Sequence, residues 1–507
     1  MLVTRQIAKP PLLLLALIFS LFAQANSRDI EVDHKVVTEH KTLIEGQRVS
    51  YSATTGTQPV WDNEGKAIAS LFYTYYQRTD IKDQSSRPLV ISFNGGPGSA
   101  SVWMHIAYTG PRILKIDDEG YPVQPYGIDS NPYSILDVAD IVFVNPVNTG
   151  YSRVLKNAEG KLPPKDKQQE QFFGVNADIK YLAEWVNTFV SRNNRWLSPK
   201  FLIGESYGTT RVSGLALELQ NSQWMYLNGV ILVSPTDIGI ERNGPVKAAN
   251  RLPYFAATAW HHGKLDKELQ ALDLEALLPQ VEEFTLNRLI PALAKGGFID
   301  AQEKAAIISQ MARYSGLSEQ VIAQSNLDVS TAFFWKELLR NESKTLGRLD
   351  SRYLGIDAKD VGDKPDYWAE LTSWLHSFTP AINYYLREEL NYKTDIKYNM
   401  FGPVHPWDRS DNKTGENLRQ AMAQNPYLKV LIQSGYYDGA TNYFDAKYNM
   451  WHLDPSGRMK QRLSFKGYRS GHMMYLRRED LKASNQDLRE FIRAALPAKE
   501  QPARYPR

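Results

Sequence analysis

Separate segments of this 507-residue chain carry the side chains from which a nucleophilic catalyst can be assembled. Phe201-Leu202-Ile203 runs into Gly204-Glu205-Ser206-Tyr207-Gly208 and then into a helical apolar spacing, Val212, Leu215, Ala216 and Leu219. A serine flanked by glycines at a strand-to-helix turn is a nucleophile elbow. The sharp turn lifts the hydroxyl out of the sheet, and glycine removes Cβ atoms that would strike the adjoining strand and helix. Ser206 is therefore the expected nucleophile. A serine hydroxyl needs a base to take its proton and an acid to orient that base. Asp438 follows the strand-like Val430-Leu431-Ile432, and His472 follows Leu463-Ser464-Phe465. The order Ser206, Asp438, His472 with both partners on loops after strands is the one such a fold requires. Asp445 is a rival acid that spacing alone leaves open, whereas chain order and loop context favour His472 among the nine histidines.

The charge that develops on an attacked carbonyl needs backbone N–H donors. Asn94-Gly95-Gly96-Pro97-Gly98 follows the strand-like Leu89–Phe93, where a glycine-rich loop can bring its backbone against the reaction centre. No Lys-Ser or Lys-Thr follows these glycines, which excludes a phosphate loop of the P-loop type.

Positioning such groups calls for a parallel sheet. Leu89–Phe93, Ile141–Val144, Phe201–Ile203, Val230–Val233 and Val430–Ile432 are short continuous apolar runs, the pattern of strands buried on both faces. Arg48–Ala53 and Ala67–Tyr76, joined through Asp62-Asn63-Glu64-Gly65, read as an antiparallel start. Phe172–Phe189 and Asn485–Leu496 have helical spacing. The expected class is α/β: a mostly parallel central sheet flanked by helices. Between residues 240 and 400 helix-spaced Leu, Ala, Ile and Met replace the strand runs, in Leu269–Leu293, Ala301–Arg313 and Leu317–Gln324. The expected organisation is a core at 26–239 and 401–507, interrupted at 240–400 by a helical cap over the C-terminal ends of the strands, where open α/β sheets hold their sites.

The composition narrows the chemistry further. The chain has no Cys, which removes disulfides, thiol nucleophiles and thiolate-held metals. Its formal charge of +3 shows no basic cluster, so nucleic acid is not an expected partner. Arg5 and Lys9 precede an apolar run, Leu12–Phe22, that ends at Ala23-Gln24-Ala25. This is the layout of a signal peptide cleaved near Ala25, so the expectation is export to a periplasm or the exterior without a stable membrane anchor. The lack of Cys in an exported chain points to a bacterial setting.

Taken together, Asn94–Ser99, Asn131-Pro132-Tyr133-Ser134, Pro146–Ser152, Gly204–Gly208 and Gly471-His472-Met473 resemble the serine carboxypeptidase family of the α/β-hydrolase superfamily, in that family's order. The resemblance implies that Gly435-Tyr436-Tyr437-Asp438 is the acid motif, which selects Asp438 over Asp445. It implies oxyanion donors at the N–H groups of Gly96 and Tyr207, and a grip on the substrate's terminal carboxylate by Asn94, Gly95 and Glu205. The family's second glutamate at that grip falls, by ungapped counting, on Tyr108, which can donate a hydrogen bond without an acidic medium. The family's cysteine in the glycine loop is replaced by Ser99. The implied activity is hydrolysis of C-terminal peptide bonds on peptides or proteins, through an acyl-enzyme and with no cofactor or metal. The alternatives are an acyltransferase or esterase on the same fold, or a non-catalytic binding protein. Oligomeric state is not legible in the sequence.

Overall fold

A computed structural model describes residues 28–497 and 503–505, so the expected signal segment at 1–25 lies outside the described residues. The strands that matter are β1 (His34–Ile44), β2 (Gln47–Trp61), β3 (Ala67–Arg78), β4 (Leu89–Phe93), β5 (Asp140–Val144), β6 (Lys200–Glu205), β7 (Gly229–Val233), β8 (Lys429–Gly435) and β9 (Leu463–Tyr468). They form one ten-stranded sheet in the order β1-β2-β3-β5-β4-β6-β7-β8-β9, with the short Arg153–Val154 strand beside β3. Pairing is antiparallel from β1 to β5 and parallel from there to β9. The continuous apolar runs β4, β5, β6 and β7 are buried along their whole length, as strands covered by helices on both faces must be.

The helices used below are α1 (Val175–Arg192), α2 (Tyr207–Ser222), α3 (Leu252–His261), α4 (Leu274–Phe284), α5 (Ala301–Ser315), α6 (Ala369–Tyr384), α7 (Thr414–Gln424), α8 (Tyr443–Leu453) and α9 (Arg478–Ala494). In α1, Ile179, Leu182, Trp185, Val186 and Phe189 recur at helical spacing and bury against one face of the sheet. The expected helix from Phe172 is broken: a short helix, Lys165–Phe172, ends before Gly174, which is extended and bridges to Asp408. At the other end, α9 starts earlier than the apolar pattern suggests. Its first turn is charged, yet Asp480 is buried there and accepts a hydrogen bond from Ser470 Oγ at 2.6 Å.

Residues 240–400 pack in two ways. Side chains of α3, α4 and α5 share a core of their own with Phe334 and Trp335, and this core meets the sheet region through Tyr437, Tyr443 and Phe444. By contrast, Trp374, Phe378 and Ile382 of α6 join the core that also buries Trp103 and Met104 on the sheet's other face. This stretch also contains a hairpin, Thr345–Leu346 paired with Leu354–Gly355, which the sequence pattern missed because two residues per strand show no alternation. Among the described residues, no helix is long and apolar enough to cross a membrane.

Candidate active site

The expected nucleophile elbow falls where β6 ends and α2 begins. Ser206 sits between them at φ 57°, ψ −127°, a region that costs a non-glycine residue about 1–3 kcal/mol and persists only where its surroundings enforce it. The enforcement is visible in the backbone. Ser206 N–H donates to Val233 O of β7 at 2.9 Å, and a Cβ on Gly204 would stand 2.1 Å from Gly208 O. Ser206 is half-buried while its immediate neighbours are buried.

The glycine loop lies flush against this elbow, since a Cβ on Gly95 would come within 2.4 Å of Tyr207 N. Arg211 of α2 holds the loop there. It is fully buried and donates through Nη1 to Asn94 O at 2.7 Å and through Nη2 to Pro97 O at 2.5 Å. Its Nε is paired with the buried Asp178 of α1 at 2.6 Å. One guanidinium thus fixes the glycine loop to the helix that follows Ser206. Tyr207 opens α2, so its N–H has no carbonyl one turn back to bond. Among the described residues, neither Tyr207 N–H nor Gly96 N–H has a hydrogen-bond acceptor.

Asp438 and His472 meet at the C-terminal ends of β8 and β9. His472 Nδ1 and Asp438 Oδ2 are 2.6 Å apart, and both residues are buried. The other carboxylate oxygen, Oδ1, accepts the N–H groups of Ala440 at 2.8 Å and Thr441 at 3.0 Å, while Thr441 Oγ1 donates to Oδ2 at 2.7 Å. With the carboxylate acting only as acceptor, the imidazole proton belongs on Nδ1, which leaves Nε2 free as a base. Burial opposes the imidazolium, but the charge of Asp438, its hydrogen bond and the charge of Glu205 outweigh that and hold the His472 pKa above its ordinary value. The rival Asp445 lines the same cavity but does not bond His472: Arg242 pairs with it, and Asn250 and Asn442 donate to it.

Ser206, His472, Gly95, Gly96, Tyr207 and Glu205 all line one cavity of about 500 Å³. Its wall is completed from the 240–400 stretch by Arg242, Arg348, Leu349, Leu371 and Trp374. Glu205 is buried, and its Oε2 receives Asn94 Nδ2 at 2.7 Å and the hydroxyl of Tyr475. Burial pushes the Glu205 pKa up to about 7; His472 and the hydrogen bonds from Tyr475 and Asn94 pull it down, and the Asp438 charge adds to the rise.

Tyr108 departs from the expectation. It does not line the cavity: its ring stacks on Tyr475 with centroids 4.6 Å apart, and its hydroxyl donates to Gln433 Oε1 at 2.8 Å. The phenol that reaches Glu205 is Tyr475 instead, three residues after His472. Counting from the glycine loop found the right layer of side chains but the wrong member of the stack. A buried tyrosine close behind the base, which needs a partner for its hydroxyl, was the available signal.

Comparison with known proteins places the chain. It belongs to the serine carboxypeptidase family, whose model matches residues 46–462. Similar curated proteins from Arabidopsis thaliana are serine carboxypeptidase-like 36, 28% identical over 172 residues, and serine carboxypeptidase-like 13, 27% identical over 206. The first match covers 33% of this chain and 32% of the relative, the second 40% and 43%, so the chain spans well under two thirds of these relatives. Among solved structures, KEX1(delta)p, a prohormone-processing carboxypeptidase from Saccharomyces cerevisiae, shares the α/β-hydrolase fold at 14% identity. That match has a TM-score of 0.51 and covers 87% of this chain and 91% of the yeast chain.

Proposed function

We propose that the protein is a serine carboxypeptidase that removes the C-terminal residue of peptides. The observation that carries this reading is Glu205, a buried carboxyl whose pKa is raised to about 7, set in the same cavity as Ser206. Both observed donors use its Oε2, which leaves Oε1 to carry a proton toward a bound carboxylate. An esterase acting on neutral esters has no carboxylate to hold. In the proposed reaction Ser206 Oγ attacks the last peptide carbonyl as His472 Nε2 takes its proton, and the N–H groups of Gly96 and Tyr207 receive the oxyanion. The imidazolium then protonates the departing amine, and water, activated by the same base, releases the acyl group from Ser206. Gly95 and Glu205, which line the cavity, hold the substrate's terminal carboxylate; Asn94, which is buried behind them and does not line it, contributes by holding Glu205 through Nδ2. Residues 240–400 are read as a cap on a core formed by 26–239 and 401–507. The charged, apolar and small-residue regions of residues 1–25 support export.

A free-acid N-blocked dipeptide, its C-terminal amide and the corresponding ester separate the possibilities when supplied together with an alcohol acceptor. The carboxypeptidase reading expects kcat/KM for the free acid to exceed that for the amide by about 10- to 100-fold, the worth of a hydrogen bond to a charged group. Equal turnover of acid and amide, or acyl transfer to the alcohol as the main outcome, would contradict it.

The raised Glu205 pKa gives a signed pH dependence. Protonated Glu205 donates to the substrate carboxylate, whereas ionised Glu205 repels it. KM for the free-acid dipeptide is therefore lowest below pH 7 and climbs as pH rises through about 7. Glu205→Gln keeps a neutral donor and flattens that climb. His472 imposes the opposite trend on kcat, which falls as the pH drops through the raised pKa of the imidazole. A KM profile of the same slope in the wild type and Glu205→Gln would remove Glu205 from the carboxylate site.

A further inference from the structure

The small hairpin within residues 240–400 does more than close the cavity. Its tip bonds to both loops that carry Asp438 and His472. Arg348 O accepts Gly439 N–H at 3.1 Å, Leu349 O accepts His472 N–H at 2.6 Å, and Asp350 Oδ2 accepts Gly471 N–H at 3.3 Å. Ser351 N–H donates to Tyr437 O at 3.0 Å. Of these four consecutive residues, the outer two, Arg348 and Ser351, grip the acid loop and the inner two, Leu349 and Asp350, grip the base loop.

The tip is held in turn from behind. Thr258 Oγ1 of α3 is 2.8 Å from Ser351 Oγ, and His262 Nε2 is 2.7 Å from Ser351 O. The central anchor is Glu370 of α6, whose Oε1 accepts Leu349 N–H at 2.8 Å. The backbone of Leu349 therefore links Glu370, through its N–H, to the backbone of His472, through its carbonyl. Glu370 is fully buried, and among the described residues its Oε2 has no hydrogen-bond partner. A buried carboxyl with an idle oxygen costs free energy that glutamine or an apolar residue would avoid in part, so its presence calls for a reason other than packing.

We infer that Glu370 is a positioning residue for the catalytic base, acting through the backbone of Leu349 to set His472 against Asp438. The inference rests on the carboxypeptidase reading for its assay but not for its geometry. A displacement of the base by a fraction of an ångström to an ångström is enough to slow proton transfer severely. Burial, which raises the Glu370 pKa to about 7, is consistent with a carboxyl held for its oxygen rather than for its charge.

The test compares Glu370→Leu, Glu370→Asp and Glu370→Gln with the full-length wild type, counting active sites with a fluorophosphonate. Per titrated site, Glu370→Leu is expected to lower kcat on an N-blocked dipeptide by about tenfold or more, with KM within about twofold. The acid limb of its kcat profile should shift to lower pH as His472, which faces Asp438, Glu205 and Arg348, loses support from Asp438. Glu370→Gln keeps the carbonyl acceptor for Leu349 and should recover kcat to within about threefold. Glu370→Asp draws the acceptor back by one methylene and gives the same loss even if Glu370→Leu does not fold. A merely structural role would reduce the number of active sites and the melting temperature while leaving kcat per site and the pH profile unmoved in Glu370→Leu and Glu370→Asp; that result would overturn the inference. If the wild type itself releases no terminal residue, the carboxypeptidase reading falls. The positioning role is then read from the rate at which the same variants react with fluorophosphonate.

Discussion

Ser206→Ala is expected to lower kcat on an N-blocked dipeptide about a millionfold, the loss seen when the nucleophile of a catalytic triad is removed while binding and the oxyanion hole remain. The substitution is clean for a structural reason. Ser206 holds φ 57°, ψ −127° under constraint from the Val233 carbonyl and from the packing of Gly204 on Gly208, and alanine carries the same Cβ into the same backbone. The elbow should keep its shape, with a melting temperature close to the wild type and KM for the dipeptide little changed. A Ser206→Ala protein that keeps a tenth of the wild-type kcat would place the nucleophile elsewhere.

Asp438→Asn should cost about 10⁴-fold in kcat, and the hydrogen-bond pattern explains why so small a change does so much. Asp438 Oδ1 accepts two backbone N–H groups, from Ala440 and Thr441. In the asparagine variant only the amide oxygen can serve them, so the NH₂ group turns toward His472 Nδ1. Nδ1 must then accept, the ring proton moves to Nε2, and the atom that should take the Ser206 proton already holds one. Steady-state kcat with folded protein checks this. The comparison is Asp445→Asn: Asp445 also lines the cavity, but its carboxylate is held by Arg242, Asn250 and Asn442 and not by His472, so the loss in kcat should be far smaller than in Asp438→Asn. The reverse pattern, loss in Asp445→Asn but not in Asp438→Asn, would exchange the two acids.

Much of the framework was legible because its physics is local. Glycines at positions 204 and 208 with an apolar run before and a helical spacing after describe the elbow directly, and β4 to β8 show themselves as doubly buried runs. What escaped depended on distant partners or on short elements. β1 is charged and its side chains alternate weakly at a sheet edge, so His34–Ile44 does not announce a strand in the sequence. The Thr345–Leu346 hairpin is too short for any pattern, yet its tip contacts both loops that carry Asp438 and His472. Tyr475 reaches Glu205 only because the chain turns sharply after His472, and Arg211, an ordinary helical arginine in sequence, holds the glycine loop only once Asp178 of α1 is packed beside it. Tyr108 was misplaced for the same reason. Counting along the chain locates the strand-following segment but not which way a stacked ring directs its hydroxyl.

The most direct measurement uses a single covalent label. The wild type is titrated with a fluorophosphonate, the modified peptide is mapped, and release of the terminal residue from an N-blocked dipeptide is followed at each extent of labelling. The carboxypeptidase reading predicts one label per chain, located on Ser206, with release falling in proportion and reaching zero at full occupancy. Release that persists in fully labelled protein, or a label that maps to another residue while Ser206 stays free, would contradict it.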